Sequence, residues 1–475
     1  MEITRRTFII ASAATLTDSR VLAQPPIPQS TVRPEDFGAR GDGVSNDTDA
    51  FAAMADHINR RGGGSVVLRR TTYVVGKQFA PLAASRGWAY HPARIMEFKN
   101  LVRPLIIQGN GARLKCAPGL RYGTFDRVTA RPIQRAMPNF RAEDLATPYR
   151  AMIHVTGCSA PIEISDVELD GNLPQLQIGG PYGDTGHQIP AIGLWLADNS
   201  STETVRNVHS HHHGQDGVEI SGDDKRKARS RFVNVVSEYN GRQGVSLIGG
   251  RGYDFEHCKF RHTGRSAVTS APGAGVDLEA EGGKIIRDIT FTGCQFVDNA
   301  GCGLLADSGD IEVVTFTRCT FVGTTSWSAW PRKPRIRFDG CTFVGAVVHP
   351  FASPNPGLAT QFHDCRFTDD PSLSPGRRVF LGPGPIVNMA ESDNVFFSRC
   401  EFKLLREGQL PWSWRATYSD STFSQVSKVP AYPKGRYRGR STIRGHVDLY
   451  NSIVEGSLIV NGQPAPRGLH GGNPW

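Results

Sequence analysis

Two short segments carry residue types suited to acid–base chemistry: Gly217-Val218-Glu219-Ile220-Ser221 and Gly275-Val276-Asp277-Leu278-Glu279. They belong to a set of five, with Gly193-Leu194-Trp195-Leu196-Ala197, Gly244-Val245-Ser246-Leu247-Ile248 and Gly303-Leu304-Leu305-Ala306-Asp307. The leading glycines are 24, 27, 31 and 28 residues apart, the spacing of one strand per repeat. Aliphatic second and fourth positions point inward, so the third and fifth face solvent. Stacking the strands predicts an outer column of Trp195, Glu219, Ser246, Asp277 and Leu305. A second column holds Ala197, Ser221, Ile248, Glu279 and Asp307. Asp277 and Glu279 would lie about 7 Å apart along a strand, Glu279 and Asp307 about 5 Å across one coil, and Glu219 and Asp277 about 10 Å across two. Carboxylates stacked this closely raise one another's pKa, an arrangement that suits proton transfer or cation binding.

Glycosidic bond hydrolysis needs two carboxyls, about 5 Å apart for a retaining nucleophile and about 6.5–9.5 Å for an inverting water. The columns offer both separations, so the stereochemistry stays open. Trp195 would give a sugar ring a flat apolar face. Asp277, Glu279 and Asp307 would be the oxygen ligands if calcium were used; the hydrolase reading needs no cofactor. Arg242, Arg251 and Arg265 occupy turns near the acidic columns, where a guanidinium would meet the carboxylate of a uronic-acid chain. His209, His211, His212 and His213 cluster just before the Asp216 turn, and alternation puts His211 and His213 on one face. His213 is thereby a candidate substrate contact, and a metal there would need further ligands.

These residues need a scaffold that stacks strands, and a second repeat supplies it. Phe255-x-x-Cys258-x-Phe260 recurs around Cys294, Cys319, Cys341, Cys365 and Cys400, at intervals of 36, 25, 22, 24 and 35 residues. A repeat of this length with a two-residue apolar period and no helical period is a solenoid signature. The phenylalanines and cysteines become internal ladders. With no C-x-x-C pair among the nine cysteines, a metal held on sulfur is not expected. Disulfides among Cys116, Cys158 and Cys302 stay open.

Upstream, Asp36-Phe37-Gly38-Ala39-Arg40-Gly41-Asp42-Gly43 leads through Asn46-Asp47-Thr48-Asp49-Ala50-Phe51 to Gly62-Gly63-Gly64. Asp47 or Thr48 would cap a helix running to about Asn59, which the glycines end. This stretch resembles the N-terminal signature of the pectate-lyase-like superfamily, including its rhamnogalacturonase and epimerase-like pectate lyase domains and family 28 glycoside hydrolases. The resemblance spans residues 33–460 and implies an all-β fold: a right-handed parallel β-helix with a short N-terminal capping helix. It implies no single reaction, because that fold hosts hydrolases, lyases, epimerases and binding proteins. Gln215-Asp216-Gly217 is similar to part of the family 28 motif and makes Asp216 a further catalytic candidate. The departures are that Asp223-Asp224 follows only seven residues later, and that the family's Gly-His-Gly and Arg-Ile-Lys are absent.

Composition bounds the rest. The chain of 475 residues carries 54 Lys plus Arg against 45 Asp plus Glu, a charge of +9, with 39% hydrophobic and 21% charged residues. That excludes disorder, and no apolar run reaches a membrane span. Residues 1–23, with Arg5-Arg6 before an apolar stretch and Val21-Leu22-Ala23 at its end, read as a twin-arginine signal for bacterial export to the periplasm or outside. Residues 461–475 read as an irregular tail. The basic residues are dispersed and no nucleic-acid motif occurs, so a polysaccharide or oligosaccharide, including anionic ones, is the expected partner rather than nucleic acid. The oligomeric state is not legible. The expectation is an exported glycoside hydrolase; the alternatives are a calcium-dependent uronan lyase and a non-catalytic glycan-binding or envelope protein.

Overall fold

The computed structural model describes residues 31–80, 88–134, 144–183, 186–222, 228–389, 391–413 and 415–471. The expected signal (1–23) and Asp223-Asp224 lie outside the described residues.

Strands that alternate apolar and polar residues bury one face each by winding into successive coils. Among the described residues thirty-seven strands join one continuous sheet, and all but the last two pair in parallel with their equivalents one coil away. The chain is a right-handed parallel β-helix. Inside it the phenylalanines form two ladders. One runs Phe232, Phe255, Phe291, Phe316, Phe338, Phe362 and Phe397, with stacked ring centroids 4.6–5.0 Å apart. The other continues from Phe296 through Phe321, Phe343, Phe367 and Phe402 to Phe423 at 4.4–4.9 Å. The two ladders meet edge to face, the geometry that ring quadrupoles favour.

Each repeat cysteine sits at a corner between two short strands, and the residue before it turns in the left-handed region. His257, Arg318, Asp364 and Arg399 do so with φ 50–55°, and Gly293 and Gly340 fill the same corner at 62° and 64°. The turn aims each thiol inward, where it donates to the carbonyl of the phenylalanine one coil before: Cys294 to Phe255 at 3.4 Å, Cys341 to Phe316 at 3.4 Å. All nine cysteines are free and buried, so the ladder is packing. The disulfides left open for Cys116, Cys158 and Cys302 do not form.

The capping helix, Thr48–Arg61, buries Phe51, Met54 and Ile58 against the first coils. It runs two residues past Asn59 and ends at Gly62, whose φ of 73° closes the last turn. Asp47 stands at its start, but its carboxylate is spent on the Arg40 and Gly41 amides rather than on the helix. The tail differs from expectation. Gln463–Pro464 and Gly468–His470 return antiparallel onto Ser457–Val460 and Ser452–Val454, pairing an edge that would otherwise stay open. No helix among the described residues is long and apolar enough to cross a membrane.

Candidate functional site

The glycines that lead the five strands occupy a position with no room for a side chain. A Cβ on Gly217 would meet the Ser237 hydroxyl at 1.9 Å, and one on Gly303 the Ser328 carbonyl at 2.4 Å. That fixed start sets the register downstream. Trp195, Glu219, Ser246, Asp277 and Leu305 pair one to the next as a single column, as the spacing predicts. The inward residues Leu194, Val218, Ile220, Leu247, Val276 and Leu278 are fully buried beneath it.

The outer column is not solvated. Glu219 is 9% exposed, Asp277 2% and Asp216 0%. The covering groups come from the position just before each glycine, where Asp216 and Gln243 align. Gln243 donates its amide to Asp277 Oδ2 at 2.7 Å. Arg242, beside it, reaches Asp216 Oδ2 at 3.3 Å and Glu279 Oε2 at 3.8 Å. Its guanidinium is therefore an internal counter-ion, 12% exposed, and not the free substrate clamp expected from its place in a turn. Arg251 pairs with Asp288, and Arg265 with Asp298, away from the column.

Among the described residues one buried guanidinium, that of Arg242, faces a group of buried carboxyls, and their proton affinities rise. Burial pushes Glu219 up to about 8, with the Asp216 charge adding to it. Burial likewise raises Asp277 to about 7 and Asp216 to about 6, against the pull of Arg242. Burial opposes the charge on Arg242, but Asp216, Asp277, Glu279 and Glu219 outweigh it and hold the guanidinium protonated. Near neutrality the column thus holds a protonated carboxyl close to carboxyls that ionise, the pairing that acid–base catalysis uses. Several buried polar atoms here make no hydrogen bond among the described residues: Trp195 Nε1, Asp216 Oδ1, Arg242 Nε and Gln243 Oε1. Such unspent capacity is uncommon in a folded interior and suits a polar ligand.

The second column departs from expectation. A bulge lies between Asp277 and Glu279, so Glu279 pairs with Ser308, not Asp307. Ser308 donates to Glu279 at 3.0 Å, while Asp307 is exposed and outside the group. A second bulge after Ile220 sets Ser221 against Gly249, where Ile248 was expected. Asp277, Glu279 and Asp307 therefore do not converge as a set of calcium ligands. Trp195 stands in the column, but one face is taken: His154 stacks on it at 4.2 Å, and Arg150 lies 5.8 Å from the ring. Arg150, His154, Arg94 and Glu97 line a cavity of about 50 Å³ at that end of the column.

His213 is fully buried and does not share the face on which alternation placed it with His211. His212 takes φ 55°, which breaks the alternation and turns His213 inward. There its ring nitrogens meet the Tyr149 hydroxyl at 2.9 Å and the Leu169 carbonyl at 3.0 Å, and burial lowers its pKa to about 3. His211 goes the other way, onto an outer face with His209, Glu168 and Asp170.

Sequence reasoning missed Gln243, His154 and Arg150. The signal for Gln243 was its place before a strand glycine, the place Asp216 holds; the other two lie in the column one coil before Trp195 or at its edge.

Residues 151–345 match the family model described as a right handed beta helix region. A capsule-specific protein of Klebsiella phage KN3-1, named Depolymerase 1, is 25% identical over 394 residues, covering 76% of this chain and 43% of the phage protein. The chain spans less than half the length of that curated relative. The A-module of a mannuronan C-5 epimerase from Azotobacter vinelandii is similar with a TM-score of 0.45 and 17% identity, covering 89% of this chain and 98% of the module. An exopolygalacturonase from Thermotoga maritima has a TM-score of 0.34 and 12% identity, covering 93% and 94% of the two chains. The family model agrees with the right-handed β-helix that the sequence resemblance implies.

Proposed function

We propose that the protein is a polysaccharide-active enzyme that hydrolyses glycosidic bonds at the Glu219–Asp277 column. The observation that carries this reading is the pair of buried carboxyls, two coils apart on one outer face, with proton affinities raised into the neutral range beside a single buried arginine. The depolymerase name of the phage relative supports the substrate class.

In this mechanism Glu219 enters protonated and gives its proton to the glycosidic oxygen as the bond to the anomeric carbon breaks. Asp277, held by Gln243, enters ionised and takes a proton from the water that attacks that carbon. Water supplies both the hydroxyl and the proton, so the two carboxyls exchange states and reset through solvent. Backbone stacking puts the two positions about 10 Å apart, nearer the wide separation of an inverting site than the narrow one. Arg242 and Asp216 act as positioning residues that set the charge balance. A calcium-dependent lyase reading finds less support, since Asp307 stands outside the group and Arg242 already supplies positive charge to it.

The test is to incubate the protein with acidic and neutral polysaccharides, with and without calcium, following reducing ends and the absorbance of unsaturated uronides together. Reducing ends alone, lost in Asp277→Asn, are the expected result. Unsaturated products abolished by a chelator would replace hydrolysis with elimination. Saturable binding without any product would leave a glycan-binding protein.

A further inference from the structure

The same coils carry a second cluster on a different face, independent of the proposed hydrolytic column. Glu168, His209 and His211 each offer a ligand atom within 4.8 Å of the other two. Asp170, His211 and His212 form a second such trio, so His211 is common to both. The strand pairing explains the convergence: Glu168 aligns with His209 and Asp170 with His211 across one coil boundary. His211 Nε2 lies 3.1 Å from Glu168 Oε1, while its Nδ1 lies 2.7 Å from His212 Nδ1 and 3.7 Å from Asp170 Oδ1. His209 and His211 rings stand 4.3 Å apart.

We infer that Glu168, His209 and His211 form a binding site for one divalent first-row transition ion, with Asp170 and His212 as the supporting group on the other ring nitrogen of His211. Two imidazoles and one carboxylate suit zinc, nickel or cobalt and do not suit calcium, which wants oxygen alone. Tetrahedral zinc draws its ligand atoms to about 3.3 Å of one another, so 4.8 Å closes by small side-chain rotations. The charge balance accepts a cation. Glu168, Asp170 and Glu238 face Arg113 and Arg261, three negative charges against two. The site is open, since the His209 side chain is 40% exposed and the Glu168 side chain 35%. Both border a groove of about 530 Å³ that also takes in Asp166 and Asn207. Arg113 competes for Glu168 Oε1 at 3.0 Å and must release it on binding.

The experiment uses the full chain without a histidine tag, stripped with chelator and titrated with zinc chloride or cobalt chloride. Calorimetry, thermal unfolding and the visible spectrum of cobalt follow the titration. The expected result is one ion per chain, a melting midpoint that rises with ion concentration, and cobalt absorption from imidazole ligation. Affinity falls at least about 10- to 100-fold in His211→Gln and Glu168→Gln and rises in Arg113→Gln, while Asp277→Asn binds as wild type. If His211→Gln does not fold, His209→Gln, at the exposed ring, gives the same loss. No bound ion in the wild type overturns the site, as does an affinity unchanged in the histidine and Glu168 variants.

Discussion

Two clusters on neighbouring coils solve the same problem, several carboxylates in one place, in opposite ways. On the Glu219 face the groups are desolvated and share one guanidinium, and three carboxyls are raised to about 8, 7 and 6. On the Glu168 face three carboxylates are interleaved with two guanidiniums and two imidazoles, so every carboxylate meets at least two partners. Burial works against Glu238, but His209 and Arg261 bring it down to about 2; His211 leads the lowering of Glu168, with Arg113 adding. The difference teaches that stacking carboxylates does not by itself raise them. What decides is the number of partners per charge and whether water reaches the group.

The sharpest way to break this contrast is to disable each face and compare turnover. Glu219→Gln or Asp277→Asn should lower kcat by about 10²–10⁴-fold on a cleaved polysaccharide, with a melting midpoint equal to or above wild type. His211→Ala should leave kcat within about twofold. Equal losses on both faces would sink the assignment of the column.

Removing the arginine of each face should separate them next. Arg242→Gln strands the fully buried Asp216, costing up to about 3–5 kcal/mol, the loss limited because Asp216 can take a proton. Arg113 is 38% exposed, and its buried partner Asp170 keeps His211 and the Asn172 amide, so Arg113→Gln should cost less, about 1–3 kcal/mol. Denaturant unfolding at pH 7 measures both. In Arg242→Gln the acid limb of the pH–rate profile should also move up, because Asp277 loses a neighbouring positive charge.

The pH dependences should run in opposite directions. Activity is expected to peak between about 7, where Asp277 ionises, and about 8, where Glu219 loses its proton. Raised carboxyls keep protons that the unfolded chain has already lost above about pH 4, so their contribution falls as pH rises toward about 8. Glu219→Gln should flatten that slope. Glu238 is lowered, so its contribution is present above its unfolded value and disappears as pH falls toward about 2; Glu238→Gln should flatten only the acid side. Unfolding free energies measured at several pH values would show a common slope if the contrast were wrong. The smallest effect belongs to Ser308→Ala, which removes one bond to the partly exposed Glu279 and should cost about 0.5 kcal/mol with little change in turnover.

The sequence made the column legible because the leading glycines and inward aliphatics impose a strict two-residue period over five coils. Burial of Glu219 and Asp277 was not legible. It comes from Arg242 and Gln243, which reach the column only once the coils are stacked. The displacement of Asp307 was equally hidden: opposite Leu278 the partner strand carries one extra residue between Leu305 and Ser308, and nothing in Gly303-Leu304-Leu305-Ala306-Asp307 announces it. The inward turn of His213 rests on the left-handed backbone of His212, which breaks the two-residue alternation that the sequence reading assumed. The Phe and Cys ladders read correctly because identical residues recur at coil spacing and stack ring on ring from one coil to the next.

That sameness has a consequence for assembly. To the aromatic stack, the rung at Phe316 is as good a neighbour for Phe255 as its true partner Phe291, so the core cannot count. A coil skipped during folding would leave roughly 20–35 residues looped out, and loop closure alone grows too slowly with length to forbid it. Counting must therefore fall to parts that never repeat: Gln243 fitting Asp277, Arg242 fitting Asp216, and the unequal intervals of 36, 25, 22, 24 and 35 residues. The irregular groups that set the chemistry also serve as the address labels of an otherwise uniform stack.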